Sequence, residues 1–468
     1  MSEQSFDLVV IGSGPGGYVA AIRGAQRGLK TALIEERELG GTCLNRGCIP
    51  SKALIANAEV LKKVRHAQHF GISVHDISFD YASMKTRKDG LVDKIRKGLT
   101  GLIASNKITI FRGRGRFISP CEVAVTGTDQ AVLKTKQVIL ATGSEPRALP
   151  ILPFDHQIVH DSTSMLNLTQ LPKRLIVVGG GVIGCEFACL YRSLDVDVTV
   201  VELLPTILPM EGKAVSDIMT QSFKKKGIKV HTGARMTSVN KSAEGLTVCL
   251  EDGQILEADM ALVSVGRSYN TQQIGLDTIG LLTAKDGSIP VDQHMRTNIP
   301  HIYAIGDITG KWLLAHVASH QGLVAADHAA GLESTMHYEA VPSVIFTDPE
   351  VGTIGYSLEK ALEAGYEATV GKFPFQVLGK SLAILETDGF AQVILEKSTG
   401  RILGAQVVGH DASTLIAEMA LAIENELTVQ SVYHTIHAHP TLSEAWMEAA
   451  LLADGLPLHL PPRSVSRD

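Results

Sequence analysis

One local plan occurs twice in this 468-residue chain, and few folds can accommodate it. A short apolar run, Phe6–Ile11, leads into Gly12-Ser-Gly14-Pro-Gly16-Gly17, then a stretch of helical character over Tyr18–Arg27, then a strand-like run, Lys30–Ile34, closed by Glu35. In the same way Leu175–Val178 leads into Gly179-Gly-Gly181-Val-Ile-Gly184, a helical stretch to Ser193, and Asp197–Val201 closed by Glu202. The first glycine and the acid stand 23 positions apart in both copies. Short uninterrupted apolar runs suit parallel strands buried on both faces.

The glycines divide the work. Gly12 and Gly179 suit the tight turn that leaves the strand. Gly14 and Gly181 let the backbone approach a pyrophosphate at a helix N-terminus, and Gly17 and Gly184 permit close helix–sheet packing. Glu35 and Glu202 are placed to accept a ribose 2′-hydroxyl. The repeat therefore predicts two Rossmann-like units, each holding a dinucleotide. Glu202 repels a 2′-phosphate and the following Leu203-Leu204-Pro205 offers no arginine, so NAD is favoured over NADP in the second unit. Glu186 admits two readings, a polar contact to a nicotinamide or flavin group and a surface position. Cys185 and Cys189 share a helix face but lack further ligands and read as core packing.

Between the two units lies Gly40–Lys52, with Cys43 and Cys48 five positions apart. In a regular α-helix such residues have Cα atoms roughly 8.6 Å apart, from about 1.5 Å rise and about 100° per residue, whereas a disulfide needs roughly 4.4–6.8 Å. Either the two do not pair or the segment departs from regular helix. Gly40, Gly41, Gly47 and Asn45 tolerate the dihedrals of such a departure, and Pro50 suits a helix entry or kink.

The bulk properties set limits. With 43 basic and 49 acidic residues the formal net charge is −6, which gives no footprint for nucleic acid. Six cysteines are too few and too scattered for a secreted disulfide framework, so the close pair reads as chemistry in a reducing compartment. The amino end has neither signal nor transit character. No apolar run reaches membrane-span length, so a cytoplasmic protein starting near Met1 is expected. The basic run Lys85–Lys97 reads as a solvated helix face, and no metal-ligand set is found.

The remaining chain predicts helices over Ser51–His69 and within Phe79–Asn106, and hairpin strands at Thr109–Phe117 and Glu122–Thr126. Lys136–Leu140 runs into Ala141-Thr142-Gly143-Ser144 as if beneath a dinucleotide. Leu256–Val265 reads as one strand before Gly266, and His301–Gly306 as a strand followed by Asp307, placed for a ribityl or ribose hydroxyl. His316–Gly322 opens a helix whose dipole favours negative charge on a flavin. Beyond Ala340 the text changes to Ser343–Phe346, Ala368–Pro374, Leu382–Glu386, Phe390–Glu396 and Ile402–Val408 as consecutive strands, a helix over 411–424, and a tail from Pro461 read as frayed. The fold class is α/β with two Rossmann-like dinucleotide-binding domains and a carboxyl-terminal α+β dimerisation domain. The expected division is 1–148 and 273–340 for the first dinucleotide, 149–272 for the second, and 341–468 for the interface. In His439-Pro-Thr441-Leu-Ser-Glu444 the acid either completes a capping box with Thr441 or orients His439 as an acid–base group.

These motifs, in this order and over nearly the whole chain, resemble the flavin-dependent pyridine nucleotide–disulfide oxidoreductases. The match is carried by both glycine fingerprints, Gly41-Thr-Cys43-Leu-Asn-Arg-Gly-Cys48-Ile-Pro-Ser-Lys52, Ala141-Thr-Gly143, Gly306-Asp307 and His439-Pro-Thr-Leu-Ser-Glu444. The resemblance implies FAD on the first unit and NAD on the second, with a redox disulfide between Cys43 and Cys48. It places Cys48 against the isoalloxazine and gives Cys43 the exchange with substrate. It groups Gly16, Thr42, Lys52, Gly143, Gly266, Asp307, Ala315 and His316 with the cofactors. It further implies a homodimer in which His439, with Glu444, serves the disulfide of the other subunit. The branch it points to oxidises dihydrolipoyl groups on lipoyl domains of 2-oxoacid dehydrogenase or glycine-cleavage complexes. Alternatives are a glutathione-type disulfide reductase and a non-catalytic docking component of such a complex. The chain departs from that branch after His316, reading Val317-Ala-Ser-His320-Gln where Lys-Ala-Glu-Glu-Glu is common. It departs again in the connector Ile151–Ser164 at Phe154 and His156.

Overall fold

The computed structural model describes residues 2–461, so all but the first residue of the tail read as frayed lies outside the described residues. The chain forms two compact units. The first contains the residues up to Pro150, His160–Leu171 and Val265–His337; the second contains Ile151–Val159, Pro172–Ser264 and the residues from Tyr338 onward.

The axis of the first unit is β1 (Ser2–Ile11). Its Leu8, Val9 and Val10 are fully buried, as a strand flanked on both sides in a parallel sheet requires. It is followed by α1 (Pro15–Gln26), β2 (Thr31–Glu35), α2 (Gly41–Arg46), α3 (Cys48–Arg65) and α4 (Tyr81–Ser105). Then come β3 (Thr109–Arg112), β4 (Arg114–Ser119), β5 (Glu122–Thr126) and β6 (Ala131–Leu140). The sheet order is β3-β2-β1-β6-β5-β4, with Ile302–Ala304 added against β6. Val9 is in register with Ala32 on one side and Val138 on the other, so the ends of β1, β2 and β6 converge at one edge where the glycine loop leaves the sheet. The single strand expected over Thr109–Phe117 is divided into β3, parallel to β2, and β4, which forms the expected antiparallel pair with β5.

Helix Ala315–Ala329 packs on α1 through paired glycines. A side chain at Gly16 would sit 2.8 Å from the Ala318 carbonyl oxygen, and one at Gly322 would sit 2.6 Å from that of Gly16. Near the return of the chain, Arg267–Tyr269 pairs antiparallel with Ser144–Pro146 inside the first unit.

The second unit repeats the parallel plan. Arg174–Val178 lies between Asp197–Val201 and Met260–Val263, with Lys229–His231 outermost. The single strand expected over Leu256–Val265 is two strands in different sheets. Ile255–Ala258 joins an antiparallel three-stranded sheet, and Met260–Val263 joins the parallel one. The break falls at Asp259, whose carboxylate accepts from the backbone N–H of Lys173 and Arg174 at 2.9 Å each and turns the chain there.

The carboxyl-terminal part of this unit is an antiparallel sheet, ordered Ser343–Ile345, Glu350–Gly355, Ile402–Gly409, Phe390–Glu396 and Ala368–Pro374. Helices Ala412–Glu424 and Glu444–Ala453 cover it around Trp446, Phe373 and Phe375. Glu350–Gly355 escaped the sequence reading. Leu382–Glu386, expected as a strand, belongs instead to the helix Gly379–Ile384, closed by Leu385 in the left-handed region. A five-residue apolar run carries no period that separates strand from helix, and here Leu382 and Leu385 remain exposed.

Long helix α4 carries Gly90, Gly98 and Gly101, each with open space where a Cβ would lie. Alanine at Gly90 or Gly98 is expected to stabilise the protein by about 0.5–1 kcal/mol each through reduced backbone entropy in the unfolded chain. Alanine at Gly184, where Cβ would meet the Gly179 carbonyl oxygen at 1.9 Å, is expected to destabilise by about 1–3 kcal/mol or more. Denaturant melts of the three variants test both directions.

Candidate active site

The two glycine loops are superimposable in their logic. Gly12 and Gly179 have φ of 98° and 106°, and a Cβ at either would meet the carbonyl oxygen of a neighbouring strand end, Ala141 at 2.3 Å and Ser264 at 2.5 Å. Gly17 and Gly184 would each place a Cβ 1.9 Å from the carbonyl of the first glycine in their own loop. Gly14 and Gly181 differ in kind. They cap the helix N-termini in ordinary extended backbone, at φ −63° and −77°, and nothing lies within 4 Å of a Cβ built there. The protein leaves that space open directly above N–H groups that have no intrahelical partner, as the approach of an anionic pyrophosphate demands.

Glu35 and Glu202 close each loop. Glu35 Oε2 accepts from the Ser13 amide at 2.9 Å and from Ser13 Oγ at 2.6 Å, while its Oε1 accepts from Arg37 N–H at 2.8 Å. Glu202 accepts from the Gly180 amide at 2.6 Å and the Leu204 amide at 2.7 Å. Both carboxylates are mostly buried, and their backbone partners fix them beside the glycine turn. Each oxygen retains lone-pair capacity for a further hydroxyl donor. Ser13, which also accepts from the Gly40 amide through Oγ at 3.2 Å, was not singled out in the sequence. Its signal is only its place after the first glycine.

The dithiol segment is anchored on the first loop. Gly40 enters α2 in the left-handed conformation with its N–H on the Ser13 carbonyl at 3.1 Å. A Cβ on Gly41 would lie 2.5 Å from Gly14 Cα. Asn45 Nδ2 donates to the Leu39 and Gly41 carbonyls and ties the turn together. The segment is not one helix. It breaks at Gly47, with φ −142° and ψ −112°, between α2 and α3. A Cβ there would be 3.1 Å from the Thr42 oxygen and 3.4 Å from Cys43 Cα, so the chain doubles back tightly enough to bring the cysteines together. Both are held as thiols, with Cys43 half-buried and Cys48 exposed. The Cys43 thiol is pushed far above the usual range, first by its hydrogen bond with Cys48 and then by burial, while the Lys52 ammonium one turn into α3 pulls the other way. Tyr18 on α1 is near enough to feel Cys43, although burial is the larger cause of its raised hydroxyl pKa.

Around Gly143, Thr142 and Asn270 exchange hydrogen bonds of 2.7 and 2.9 Å. Arg267 donates to Ser144 Oγ at 2.6 Å and to its carbonyl at 2.7 Å, and Ser144 Oγ donates to Asp307. Gly266 contributes its carbonyl to the Arg147 amide at 3.0 Å. Asp307 thus stands beside the loop from β6, followed by Ala315 and His316 in the first turn of their helix. In the unusual text after His316, Gln321 is fully buried and accepts from the Gly306 amide at 2.7 Å, while Val317 and Ala318 are core residues. The connector around Phe154 and His156 is a turn held by Asp155, which accepts three successive amides from Gln157 to Val159.

Of the two readings of Glu186, the surface position is excluded. It is buried, and its Oε1 accepts from the Phe346 amide at 2.9 Å. Cys185 and Cys189 are buried, as core packing requires.

In the carboxyl-terminal sheet domain, His439 and Glu444 form a pair, with Nδ1 of the imidazole 2.9 Å from Glu444 Oε1. The other oxygen, Oε2, accepts from the Thr441 amide at 2.8 Å. The capping contact and the histidine contact, read in the sequence as competitors, are divided between two oxygens of one carboxylate. Only half of a capping box is present, because Thr441 Oγ1 donates to Ala438 instead of receiving the helix amide. Burial favours the neutral Glu444, but the Thr441 amide and His439 outweigh it and hold the carboxyl below its ordinary range. The His439 side chain is 79% exposed, with Nε2 directed away from its carboxylate partner.

Family comparison agrees with these motifs. Residues 6–322 match the pyridine nucleotide-disulphide oxidoreductase family, and residues 341–450 match the dimerisation domain of the same family. The chain belongs to this family and is an oxidoreductase. Within it, the chain is 53% identical over 461 residues to a dihydrolipoyl dehydrogenase of Chlamydia pneumoniae, covering 98% of this chain and 100% of that one. It is 43% identical over 458 residues to the dihydrolipoyl dehydrogenase of Geobacillus stearothermophilus, covering 97% of each. Among solved structures it is similar to LpdA from Mycobacterium tuberculosis, with a TM-score of 0.89, 31% identity, and coverage of 95% and 99%. Among the described residues no helix is long and apolar enough to cross a membrane.

The open positions in the loops give a separable test. A Cβ at Gly14 or Gly181 meets nothing of the protein within 4 Å, so Gly14→Val and Gly181→Val direct their added bulk into the space left for the dinucleotide. Both variants are expected to melt as the wild type does when stripped of ligand. Gly14→Val is expected to purify with little flavin absorbance and Gly181→Val with weakened pyridine nucleotide binding, each measured against wild type by absorbance and titration.

Proposed function

We propose that the protein oxidises protein-bound dihydrolipoyl groups to the cyclic disulfide and passes the electron pair through FAD to NAD+. The observation that carries this reading is the dithiol: two cysteines brought together by the Gly47 break on a segment packed against the first nucleotide loop. FAD fits the first unit, held by Gly12, Gly14, Gly17, Glu35, Thr42, Lys52, Gly143 and Asp307, with Gly16 admitting the helix that carries Ala315 and His316. NAD fits the second, held by Gly179, Gly181, Gly184 and Glu202. The domain division is 1–148 with 273–340, 149–272, and 341–468, with Gly266 at the exit from the second of these.

In the oxidised enzyme a dihydrolipoyl sulfur attacks Cys43 Sγ, the Cys43–Cys48 bond breaks, and Cys48 leaves as the thiolate. His439 takes the proton of the attacking thiol at Nε2, the nitrogen left open by the Glu444 bond to Nδ1. The second substrate thiol then attacks its own partner sulfur in the mixed disulfide. The cyclic disulfide departs, and Cys43 leaves with the second proton. A Cys43 thiol raised by Cys48 suits this distribution, since Cys43 keeps its proton while Cys48 carries the charge. Bound FAD supplies the acceptance of the electron pair from the reduced dithiol and its delivery as hydride to NAD+. Exposure of His439 on its own chain supports a homodimer in which it serves the partner's dithiol. Lipoyl domains of 2-oxoacid dehydrogenase or glycine-cleavage complexes are the partners that present such a substrate. The sparse, scattered cysteine usage supports a cytoplasmic setting.

Steady-state rates with dihydrolipoamide and NAD+ are expected to exceed those with oxidised glutathione and NADPH, and the reverse preference overturns the substrate assignment. Cys43→Ser is expected to reduce dihydrolipoamide oxidation to background. His439→Gln is expected to lower it by about 10²–10⁴-fold at neutral pH, while NADH-driven reduction of ferricyanide persists. Glu202→Ala is expected to narrow the preference for NAD+ over NADP+ by at least about tenfold, since it removes the charge that repels a 2′-phosphate.

A further inference from the structure

A second histidine–carboxylate pair stands beside His439 and has no part in the steps above. The His437 side chain is 4% exposed. Its Nδ1 lies 2.9 Å from the carbonyl oxygen of Thr435, and its Nε2 lies 2.9 Å from a carboxylate oxygen of Glu418, on helix Ala412–Glu424. A carbonyl oxygen and an ionised carboxylate can only accept, whereas a neutral imidazole has one donor nitrogen and one acceptor nitrogen. Either neutral tautomer would therefore turn a lone pair against an oxygen. Only the imidazolium donates to both partners.

This charge sits next to the acid–base pair. His437 precedes His439 by two residues, and its field is one of the influences holding Glu444 ionised, behind the Thr441 amide and His439. Reciprocally, the Glu418 hydrogen bond, against burial, raises His437, and Glu444 adds to the same shift. The charged groups acting on His437 are Glu418 from helix Ala412–Glu424 and Glu444 from helix Glu444–Ala453, with the titratable His439 two residues further along the same loop. Lys380 and Asp411 line a cavity together with Glu418, Thr441 and Ser443.

We propose that His437, held as an imidazolium between Thr435 and Glu418, is a positioning residue for His439: its fixed charge helps set the pH at which the His439–Glu444 pair takes up a proton. The proposal rests on the reading of His439 as the acid–base group. A fixed positive charge beside the pair opposes its protonation. Removing that charge therefore moves the acid limb of the pH profile upward.

The test uses the dimeric holoenzyme and two variants. His437→Asn retains an amide donor near the position of Nδ1 but loses the charge and the reach to Glu418. Glu418→Gln leaves the ring without its counter-ion. The pH dependence of kcat/KM for dihydrolipoamide is measured, with NADH:ferricyanide activity and the melting temperature as controls. Both variants are expected to shift the acid limb up by about half a pH unit, a roughly threefold rate change on the limb, with the ferricyanide rate unchanged. Profiles that superimpose on the wild type, or fall uniformly without changing shape, overturn the proposal. Nitrogen-15 spectra of histidine-labelled wild type give an answer that does not depend on activity or on the variants folding. His437 is expected to carry protons on both ring nitrogens at pH 7, and a neutral ring there overturns the proposal. Full activity in His439→Gln would instead sink the acid–base reading itself, which separates the two failures.

Discussion

The contact on which the site depends is a backbone approach that no side chain permits, the carbonyl of Gly12 against Gly17 and, in the second unit, that of Gly179 against Gly184. It seats each helix close to its strand and aims the helix N-terminus at the open space over Gly14 or Gly181. The acid at the end of the next strand is then caught by the amide after the first glycine, Ser13 or Gly180. A hydrogen bond to a charged acceptor contributes about 1.5–3 kcal/mol, so each carboxylate locks the loop that it also serves. Gly41 rests on Gly14, which places the dithiol by the same turn that places the dinucleotide.

That placement decides the electrostatics of the dithiol. The Gly47 break brings Cys48 against Cys43, and the two thiols then compete over one negative charge. Cys43 is the more enclosed of the two and keeps its proton; Lys52, a turn into α3, is the cation available to the charge when it forms. The pair titrates as a unit. A cationic environment and partial exposure are the conditions that distinguish a reactive cysteine from the buried Cys185 and Cys189, where desolvation raises the thiol and, at Cys189, outweighs the Asp348 backbone and the Lys226 charge.

Much of this was legible in the chain because it is written at fixed offsets. The double plan from Gly12 to Glu35 and from Gly179 to Glu202, the parallel strands, and the distance argument about Cys43 and Cys48 all rest on local geometry. What escaped depends on contacts that sequence spacing does not encode. Leu382–Glu386 has an apolar run too short to show a period, so its helix is set by context. Asp259 divides one apolar run between two sheets by capturing the amides of Lys173 and Arg174, more than eighty residues earlier. Glu186 is withdrawn from the surface by burial, with the Phe346 amide, 160 residues away, on its Oε1.

Glu444 shows how a local reading can fail in a different way. Spacing alone offers both of its roles, and they are rivals only if a carboxylate counts as one acceptor. It has two oxygens, about four lone-pair sites. The cis peptide at His439–Pro440 belongs to a loop that presents Thr441 N–H to one oxygen and His439 Nδ1 to the other. With Nδ1 engaged as donor, the tautomer of His439 is decided and Nε2 is the nitrogen left to accept a proton. The same reasoning, applied to His437 between two acceptors, yields a cation instead of a base. Two histidines separated by one alanine are thus given opposite roles by what faces their second nitrogen.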